Sequence, residues 1–250
     1  MRLRPFTTRL KGLFFIAPII FLTGCSQVSG LGFEEGVTSV NDQSLSLWQG
    51  AWIAAAFVGV FTLVFILWPA IFHRGKKDGP EFPKQSRDNL PLELAAVIVP
   101  LIIVAVLFFY TVQKQNVITE KTDNYAHEII VEGFQWSWQF SYPEAGPEAV
   151  VTGTPGQPPT LVVPVGQRVR YTLTATDVVH GFWIPAFMIQ MQNLPGITNH
   201  LEFTANKIGE YPGRCNILCG RNHSLMLFNV KVVTLEEYKA YLETIKGSQA

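Results

Sequence analysis

The hydrophobic pattern divides the chain into an apolar section that comes first and a section of alternating polarity that follows it. Residues 47–72 contain no Asp, Glu, Lys or Arg, and a second apolar run covers residues 94–112. Each run is long enough to cross a bilayer core of about 30 Å at about 1.5 Å per helical residue. The pattern therefore predicts a two-helix membrane hairpin over residues 47–113, with its connecting loop over residues 73–90.

The basic residues of this loop predict the orientation of the hairpin. They are Arg74, Lys76, Lys77, Lys84 and Arg87, whereas no basic residue lies between Lys11 and Arg74. Short loops rich in Lys and Arg stay on the cytoplasmic side of a membrane. We therefore expect the loop in the cytoplasm and both chain ends on the outer side of a bacterial plasma membrane.

The first residues have the pattern of a bacterial lipoprotein signal. A basic start precedes a short apolar run over residues 13–21, and the motif Leu22-Thr23-Gly24-Cys25 follows. Such a segment is removed in the mature protein, which leaves the Cys as a lipidated first residue. We predict a signal peptide over residues 1–24, lipidation at Cys25 and an external segment over residues 25–46. The alternative is a plain transmembrane start with a free thiol.

After Gln113 the pattern changes to short segments that are typical of strands. Residues 128–142 alternate, with Phe134, Trp136, Trp138 and Phe140 on one side, which predicts a single half-buried strand. Packing in a core is the commoner role of four rings on one face.

The remainder of this section predicts an all-β domain over residues 117–234. A loop rich in Pro and Gly covers residues 143–159. Further strands are predicted over residues 160–163, 168–176, 200–204 and 225–233. Such a series of short strands indicates a Greek-key β-sandwich or barrel. A capping box at Thr234 and Glu237 then predicts a C-terminal helix over residues 235–246.

The composition favours a membrane protein and excludes a nucleic-acid-binding one. The chain is 48% hydrophobic and 15% charged, with a formal net charge of zero. It therefore lacks the basic excess that nucleic-acid binding needs. From Val117 onward, Asp and Glu modestly outnumber Lys and Arg. This excess favours a basic partner for the outer domain.

Metal-binding side chains are concentrated in one short stretch of the outer domain. Cys215, Cys219, His223 and Met226 follow one another at intervals of four, four and three residues. Thiolate and thioether sulfur are soft donors and imidazole is borderline, so the set suits copper or zinc and is poor for magnesium or calcium. A Tyr-Pro-Gly sequence just upstream and a Gly within the stretch predict a loop rather than a helix.

A further donor is expected from another loop, and His180 lies in a similar setting at a strand end. The residue types allow a tetrahedral zinc site of two Cys and two His. A single Cys would indicate a mononuclear blue-copper site with an axial Met, whereas two Cys indicate two metals bridged by two sulfurs. The spacing alone leaves these alternatives open.

With His180 upstream, the stretch from Cys215 to Met226 resembles the dinuclear copper site, called CuA, of cytochrome c oxidase subunit 2. The resemblance implies that Cys215 and Cys219 bridge two copper ions, while His180, His223 and Met226 each bind one of them. It also implies a cupredoxin fold, and a copper ligand in the backbone carbonyl of Ile217. Such a subunit takes electrons from a c-type cytochrome and passes them to haem in subunit 1 of a proton-translocating oxidase, within the membrane lipid and beside other oxidase subunits.

The same resemblance assigns roles to three residues that would otherwise be unremarkable. Trp136 matches the exposed tryptophan through which a cytochrome passes its electron to copper. Glu93 matches the glutamate at the start of a proton pathway into subunit 1, although a helix N-terminus also favours an acidic residue. Asp177 matches an acidic position near the cytochrome-docking face, although alone it is an ordinary charge at a strand end.

Two positions depart from the family pattern. Ile217 stands where the family usually has a glutamate, whose side chain binds magnesium at the boundary with subunit 1. Gln192 stands where the family often has an acid. Magnesium requires oxygen donors, so we expect reduced or absent magnesium at this boundary.

Two rival functions remain at this point. The quinol-oxidising relative has the same architecture but lacks the copper ligands, which are present here. A membrane-tethered copper chaperone would favour exposed, exchangeable thiol or Met sites.

Overall fold

The computed structural model describes residues 32–73, 87–122 and 124–247, which form two long helices, a β-sandwich and a terminal helix. The predicted signal peptide over residues 1–24 and the predicted lipidation site at Cys25 lie outside the described residues. Most of the predicted cytoplasmic loop, residues 74–86, also lies outside them.

The two long helices are α1 (Asn41–Phe72) and α2 (Leu90–Ile118). Both are long and apolar enough to cross a membrane. They contain 32 and 29 residues, and at about 1.5 Å per residue each exceeds a bilayer core of about 30 Å. Each helix therefore continues beyond the apolar run that predicted it. Near the sandwich, Lys114 Nζ of α2 donates to Gln43 Oε1 of α1 at 2.8 Å.

The start of α2 contains Glu93. Asn89 caps the helix, since its side-chain oxygen accepts from the Leu92 N–H at 3.2 Å. The Glu93 carboxylate in turn accepts from the Asn89 N–H at 3.3 Å. This reciprocal pair satisfies two backbone donors that a helix N-terminus leaves free.

The sandwich consists of two five-stranded sheets. Its strands are β1 (His127–Phe134), β2 (Ser137–Ser141), β3 (Val150–Thr152), β4 (Thr160–Pro164), β5 (Arg168–Ala175), β6 (His180–Ile184), β7 (Ile189–Asn193), β8 (Asn199–Thr204), β9 (Gly209–Cys215) and β10 (Leu227–Val233). The first sheet has the order β3-β2-β1-β5-β8 and the second has the order β4-β10-β9-β6-β7. The pairs β1–β5 and β4–β10 are parallel, and the other pairs are antiparallel. The prediction of two long apolar helices followed by a β-sandwich is thus confirmed.

Aromatic rings fill the space between the two sheets. Trp138 of the first sheet packs edge-on against Phe182 and Phe228 of the second, with centroid distances of 5.8 and 5.3 Å. Phe182 and Phe228 stack on each other at 4.9 Å. All three side chains are buried. This cluster lies next to the start of β6 and β10, so it supports the loops at that end of the sandwich.

The last helix, α3 (Leu235–Gly247), closes the sandwich on one side. The predicted capping box is present, because Glu237 Oε2 accepts from the Thr234 N–H at 2.9 Å and Thr234 Oγ1 accepts from the Glu237 N–H at 3.2 Å. Tyr238, Leu242 and Ile245 of this helix are buried.

The prediction of one strand over residues 128–142 is wrong, because a turn at Gln135 and Trp136 divides it into β1 and β2. The buried apolar positions are odd-numbered in β1, such as Ile129 and Val131, and even-numbered in β2, such as Trp138. Side chains alternate with a period of two along a strand, so the change from odd to even marks the reversal of the chain. The turn brings Trp136 to the end of the sandwich, away from the core positions of β2.

Four strands, β3, β6, β7 and β9, were not predicted as strands. In β9, Pro212 and Gly213 predict a loop rather than a helix and are also uncommon inside a strand, but β9 pairs with β6 only at its last two residues. Pro212 therefore lies where β9 has a neighbour on one side only, and there a missing N–H is tolerated. A Cβ atom on Gly213 would come within 2.1 Å of the Phe228 ring, so the glycine allows the core ring to cover the strand.

Candidate metal centre

The predicted metal-binding residues meet at one end of the second sheet. His180 is the first residue of β6 and Cys215 is the last residue of β9, and these strands are neighbours. The loop from 216 to 226 then returns to β10, and the Cys215 N–H donates to the Met226 carbonyl at 3.0 Å. The sheet therefore holds both ends of the loop and brings a histidine that is 35 positions earlier beside the first cysteine.

The donor atoms form a compact, buried cluster. The ligand atoms of His180, Cys215 and Cys219 all lie within 4.8 Å of one another. The two sulfur atoms of Cys215 and Cys219 are 3.8 Å apart. Cys219 Sγ lies 3.8 Å from Met226 Sδ and 3.5 Å from His223 Nδ1. Only 4% of each cysteine is exposed, so the thiols are not on an exchangeable surface.

The backbone oxygen of Ile217 belongs to the same cluster, since it lies 3.2 Å from Cys215 Sγ. An isoleucine supplies a carbonyl oxygen as well as any other residue does. The departure from glutamate at this position therefore does not remove a donor from the cluster.

His180 has one ring nitrogen engaged and one free for a metal. Its Nε2 lies 2.8 Å from Asp177 Oδ1, while its buried Nδ1 has no hydrogen-bond partner among the described residues. A metal-binding histidine typically donates its other ring N–H to a carboxylate, which fixes the tautomer and the ring orientation. One ring nitrogen of His180 lies within 4.8 Å of both cysteine sulfurs, and a buried Nδ1 without a partner fits a bound metal ion.

The electrostatics of the two thiols also fit a bound cation. Burial disfavours a charged Cys215, but the neighbouring His180 ring and a hydrogen bond from the Gly181 N–H outweigh burial and lower the pKa of Cys215. Burial and the neighbouring negative charge on Cys215 raise the pKa of Cys219. Two thiolates so close together therefore require a positive charge between them.

The donor set favours copper over a structural zinc ion. Three sulfurs, two imidazole nitrogens and a carbonyl oxygen converge here, whereas a structural zinc site typically has four ligands in a tetrahedron. Soft sulfur ligands with imidazole suit copper, and two thiolates can bridge two ions. The residues present thus fit the copper site that the family resemblance implies.

Trp136 is directly connected to the cluster. Its indole Nε1–H donates to the Cys219 carbonyl at 3.2 Å, and the side-chain amide of Gln135 donates to the same oxygen at 2.8 Å. The Trp136 side chain is half-buried, in contrast to the fully buried Trp138. The alternation of residues 128–142 does not reveal the Gln135 contact, because it conceals the turn that aims this side chain at the loop.

Asp177 has a different environment from that of a free surface charge. Its carboxylate accepts from the Gln135 N–H and from the Val178 N–H, both at 2.6 Å, as well as from His180. Burial would raise the pKa of Asp177, but these hydrogen bonds outweigh it and lower the pKa. A supporting contact to His180 was not predicted, although an acid three residues before a histidine at a strand end is a signal for one.

Ile217 and Gln192 line a small cavity beside the loop, of about 290 Å³, together with Gln190, Met191 and Asn216. None of these residues carries a carboxylate. Asn216 Nδ2 donates to Gln190 Oε1. A Cβ atom on Gly181 would come within 1.9 Å of the Asn216 side chain, so this glycine leaves the space that Asn216 occupies. Glu93, at the start of α2, is not part of this group of residues.

Comparison with known proteins gives one consistent family. The family described as "Cytochrome C oxidase subunit II, periplasmic domain" matches residues 157–233. The "Probable cytochrome c oxidase subunit 2" of Streptomyces avermitilis is 38% identical over 261 residues, covering 89% of this chain and 82% of the relative. The "Cytochrome c oxidase subunit 2" of Mycobacterium bovis is 31% identical over 284 residues, covering 90% of this chain and 78% of the relative.

Among solved structures, the chain is similar to the periplasmic domain of subunit II of cytochrome oxidase (CoxB) of Bradyrhizobium japonicum. The identity is 31% and the TM-score is 0.48, and the match covers 52% of this chain and all of that one.

Proposed function

This chain belongs to the cytochrome c oxidase subunit 2 family, and we propose that it accepts electrons from a c-type cytochrome at a dinuclear copper centre and passes them to haem in subunit 1. It is an oxidoreductase subunit of a haem-copper oxidase. The observation that carries the finer proposal is the buried cluster of His180, Cys215 and Cys219. Copper bound there would supply one-electron redox chemistry.

We infer the role of each residue of the cluster from its position. Cys215 and Cys219 would bridge the two ions, because their sulfurs are adjacent. His180, through its unpartnered Nδ1, and His223 would each bind one ion. Met226 and the Ile217 carbonyl would complete the site from the two flanks of the loop.

The sandwich supports this function by holding the loop rigidly. The loop is anchored at both ends by the Cys215–Met226 backbone bond, and Asp177 fixes the His180 ring. Burial of the thiols excludes water and favours permanent over exchangeable binding, which counts against a chaperone. The half-buried Trp136 lies between solvent and the Cys219 carbonyl, so it is the residue we propose to accept the electron from the donor.

We propose the membrane arrangement from the two candidate spans and the loop charge. Residues 47–113 would form the hairpin in a bacterial plasma membrane, with the copper domain of residues 117–234 on the outer side and the helix of residues 235–246 at its end. Residues 1–24 and Cys25 would be the signal peptide and the lipidation site. Glu93 would lie at the cytoplasmic side, where a proton pathway into subunit 1 could begin.

A magnesium site at the boundary with subunit 1 is not expected to be fully occupied. The cavity beside Ile217 is lined by amides and apolar side chains rather than by carboxylates. Amide oxygens are weaker donors for magnesium than carboxylates, so little would hold the ion from this side.

The test of this proposal is metal analysis and visible absorption of the purified oxidase. We expect two copper ions per chain in this subunit and the spectrum of a mixed-valence copper–thiolate centre. A Cys219→Ser variant should lose both, while Ser224→Ala, an exposed change in the same loop, should retain both. One copper ion, a single zinc ion or no metal in the unmodified subunit would contradict the proposal.

A further inference from the structure

A buried amide joins the two sheets beside the metal-binding cluster. Asn193 is the last residue of β7 and pairs with His180 in the β6–β7 ladder. Its buried side chain donates from Nδ2 to two backbone carbonyls of the first sheet, that of Val131 at 2.8 Å and that of Thr174 at 2.9 Å. Because both partners are carbonyl oxygens, only the NH₂ group of the amide can make these bonds. A residue of the second sheet is thus tied to both β1 and β5 of the first.

The two strands that this amide holds also supply the contacts of the His180 ring. In β1, Gly133 follows the bonded carbonyl by two residues, and a Cβ atom on Gly133 would come within 3.1 Å of the His180 side chain. After β5, Asp177 follows the other bonded carbonyl by three residues, and its Oδ1 lies 2.8 Å from His180 Nε2. The ring therefore rests on the first sheet, whereas the backbone of His180 belongs to the second.

The position of the imidazole relative to the sulfurs thus depends on the spacing between the sheets. Cys215 ends β9, which pairs with β6 within the second sheet. Asp177, which orients the ring, belongs to the first sheet, so a change in the spacing would move it relative to Cys215. A functional site requires its groups to be held within about 0.5 Å of their working positions. A link between the sheets at this point therefore bears directly on the metal site.

We propose that Asn193 is a positioning residue for the copper centre. By hydrogen-bonding β7 to β1 and β5, it fixes the distance between the sheets at His180 and so the orientation of that imidazole toward the metal. This inference rests on the proposed function, because copper is what the imidazole would bind. The Oδ1 of Asn193 has no hydrogen-bond partner among the described residues, so the two donated bonds are what hold the buried amide.

Loss of these two bonds should weaken the bond between His180 and copper. Groups that orient a ligand histidine without touching the metal typically change metal affinity by about 10- to 100-fold. Asn193 acts through the strands that carry such groups, so we expect an effect at the lower end of this range. Soft sulfur ligands favour Cu(I), and a weaker imidazole bond leaves the sulfurs dominant. The midpoint potential of the centre should therefore rise.

The chain offers a matched control at the opposite end of the sandwich. Tyr142 directly follows β2 of the first sheet, and Val162 belongs to β4 of the second. The buried Tyr142 hydroxyl accepts from the Val162 N–H at 2.9 Å and donates to the Val162 carbonyl at 3.3 Å. Like Asn193, this side chain joins the two sheets by two hydrogen bonds to the backbone. Tyr142→Phe therefore removes the same kind of link without reaching the metal site.

The experiment compares Asn193→Leu with Tyr142→Phe in the purified oxidase. Leucine has nearly the shape of asparagine but cannot donate a hydrogen bond. Both variants should unfold at a lower temperature than the unmodified protein. Only Asn193→Leu should release copper to a chelator about tenfold faster, followed as loss of the copper–thiolate absorption, and only this variant should have a raised midpoint potential. Asn193→Asp, which as a carboxylate has no donor, is the second test variant and should change both copper measurements in the same direction.

The outcomes separate this inference from the proposed function. An unchanged release rate and potential in the Asn193 variants, or an equal change in Tyr142→Phe, overturns the positioning role. Failure of both Asn193 variants to assemble, while Tyr142→Phe assembles, would show that the amide serves folding rather than His180, and also overturns it. Absence of the copper–thiolate absorption from the unmodified oxidase would instead contradict the proposed function.

Discussion

The two ends of the sandwich use charge in opposite ways. We call the end that holds the metal-binding loops the copper end; it consists of residues 135–136, 153–159, 176–179, 194–198 and 216–226. The one carboxylate within these loops, Asp177, is hydrogen-bonded inside the domain. At the other end, which we call the attachment end, the chain passes from α2 into the sandwich through residues 119–122 and 124–126. There a buried carboxylate, Glu202, lies between Arg168 and Arg170.

The contacts of Glu202 join the membrane section to the sandwich. The Glu202 side chain is fully buried, with Arg168 Nε at 3.0 Å and an Arg170 nitrogen at 2.7 Å. Its carboxylate also accepts from the Thr122 N–H at 3.0 Å, and Arg170 donates to the Thr122 carbonyl at 2.5 Å. The residues that follow α2 are thus held on strands β5 and β8 by charged hydrogen bonds.

The difference shows what each end requires. Charged hydrogen bonds are directional and are shielded from salt when buried, so they suit a junction that fixes the domain relative to its membrane helices. The copper end is held instead by uncharged backbone contacts, such as the Cys215 N–H that donates to the Met226 carbonyl at 3.0 Å. The desolvation of Glu202 costs free energy, and this cost falls at the junction between α2 and the sandwich, which has to stay closed.

The largest effect is expected from breaking the copper end itself. Cys215→Ser should abolish the dinuclear site, because one bridging sulfur cannot hold two ions, and electron uptake from the cytochrome should fall to background. Metal content and visible absorption of the purified oxidase are the measurements. The attachment end should be unaffected, so normal assembly with subunit 1 is expected, and retention of two coppers would contradict the assignment of Cys215.

The next effect distinguishes the two tryptophans near the metal site. Trp138→Ala should destabilise the domain by about 3–5 kcal/mol, the usual cost of emptying a buried aromatic site. Trp136→Ala should mainly slow reduction by the cytochrome, because Gln135 still donates to the Cys219 carbonyl. Thermal unfolding and stopped-flow reduction of the two variants test this pair. If both variants only lose stability, Trp136 is a core residue and the electron enters elsewhere.

The local features of the fold were predictable, and so was the chemistry of the metal stretch. The apolar runs, the capping box and several strands follow from periodicity within a few residues. The spacing from Cys215 to Met226 indicated a soft metal site, and the fold brings His180 beside it. These features depend on near neighbours in the chain.

The supporting contacts could not be predicted because they join loops from different strands. The unbroken alternation from Phe134 to Phe140 conceals the two-residue turn between β1 and β2. Once that turn is missed, the contacts of Gln135 with Asp177 and with Cys219 cannot be inferred. Glu202 likewise has the sequence context of an ordinary exposed strand residue, and only the neighbouring strand and the linker reveal its burial.

The third prediction breaks the attachment end. Glu202→Gln should destabilise the protein by about 1–3 kcal/mol, less than for a fully buried pair, because both arginines keep partial contact with water. The copper spectrum should remain unchanged, since the residue is at the opposite end. Thermal unfolding of the purified protein measures the loss, and an altered copper spectrum would show that the two ends are coupled.

The stability lost in Glu202→Gln should depend on pH, and its direction follows from the lowered pKa of Glu202. Burial would raise the pKa of Glu202, but hydrogen bonds from Arg170, Thr122 and Arg168 outweigh it and lower the pKa. The stability from Glu202 is therefore fully present above the ordinary glutamate pKa of about 4.3 and is lost as the pH falls through the lowered value. The difference in unfolding temperature between Glu202→Gln and the unmodified protein should shrink below about pH 4. A constant difference across this range would exclude the ionised carboxylate as its cause.

The smallest effect is expected from an exposed ion pair at the same attachment end. Lys207 Nζ lies 2.6 Å from Glu34 Oε1, but the two side chains are 41% and 65% exposed. Exposed pairs gain little because water and salt screen them and two long side chains must be ordered, so Lys207→Ala should cost about 0–1 kcal/mol.

Part of any loss would come from the Glu35 carbonyl, which accepts from Lys207 at 2.7 Å. The segment should stay in place in this variant, because the Ser39 N–H donates to the Thr204 carbonyl at 2.9 Å and Thr38 pairs with Ala205. Thermal unfolding beside Glu202→Gln provides the comparison: a loss from Lys207→Ala as large as that from Glu202→Gln would mean that burial of the carboxylate is not what strengthens the attachment end.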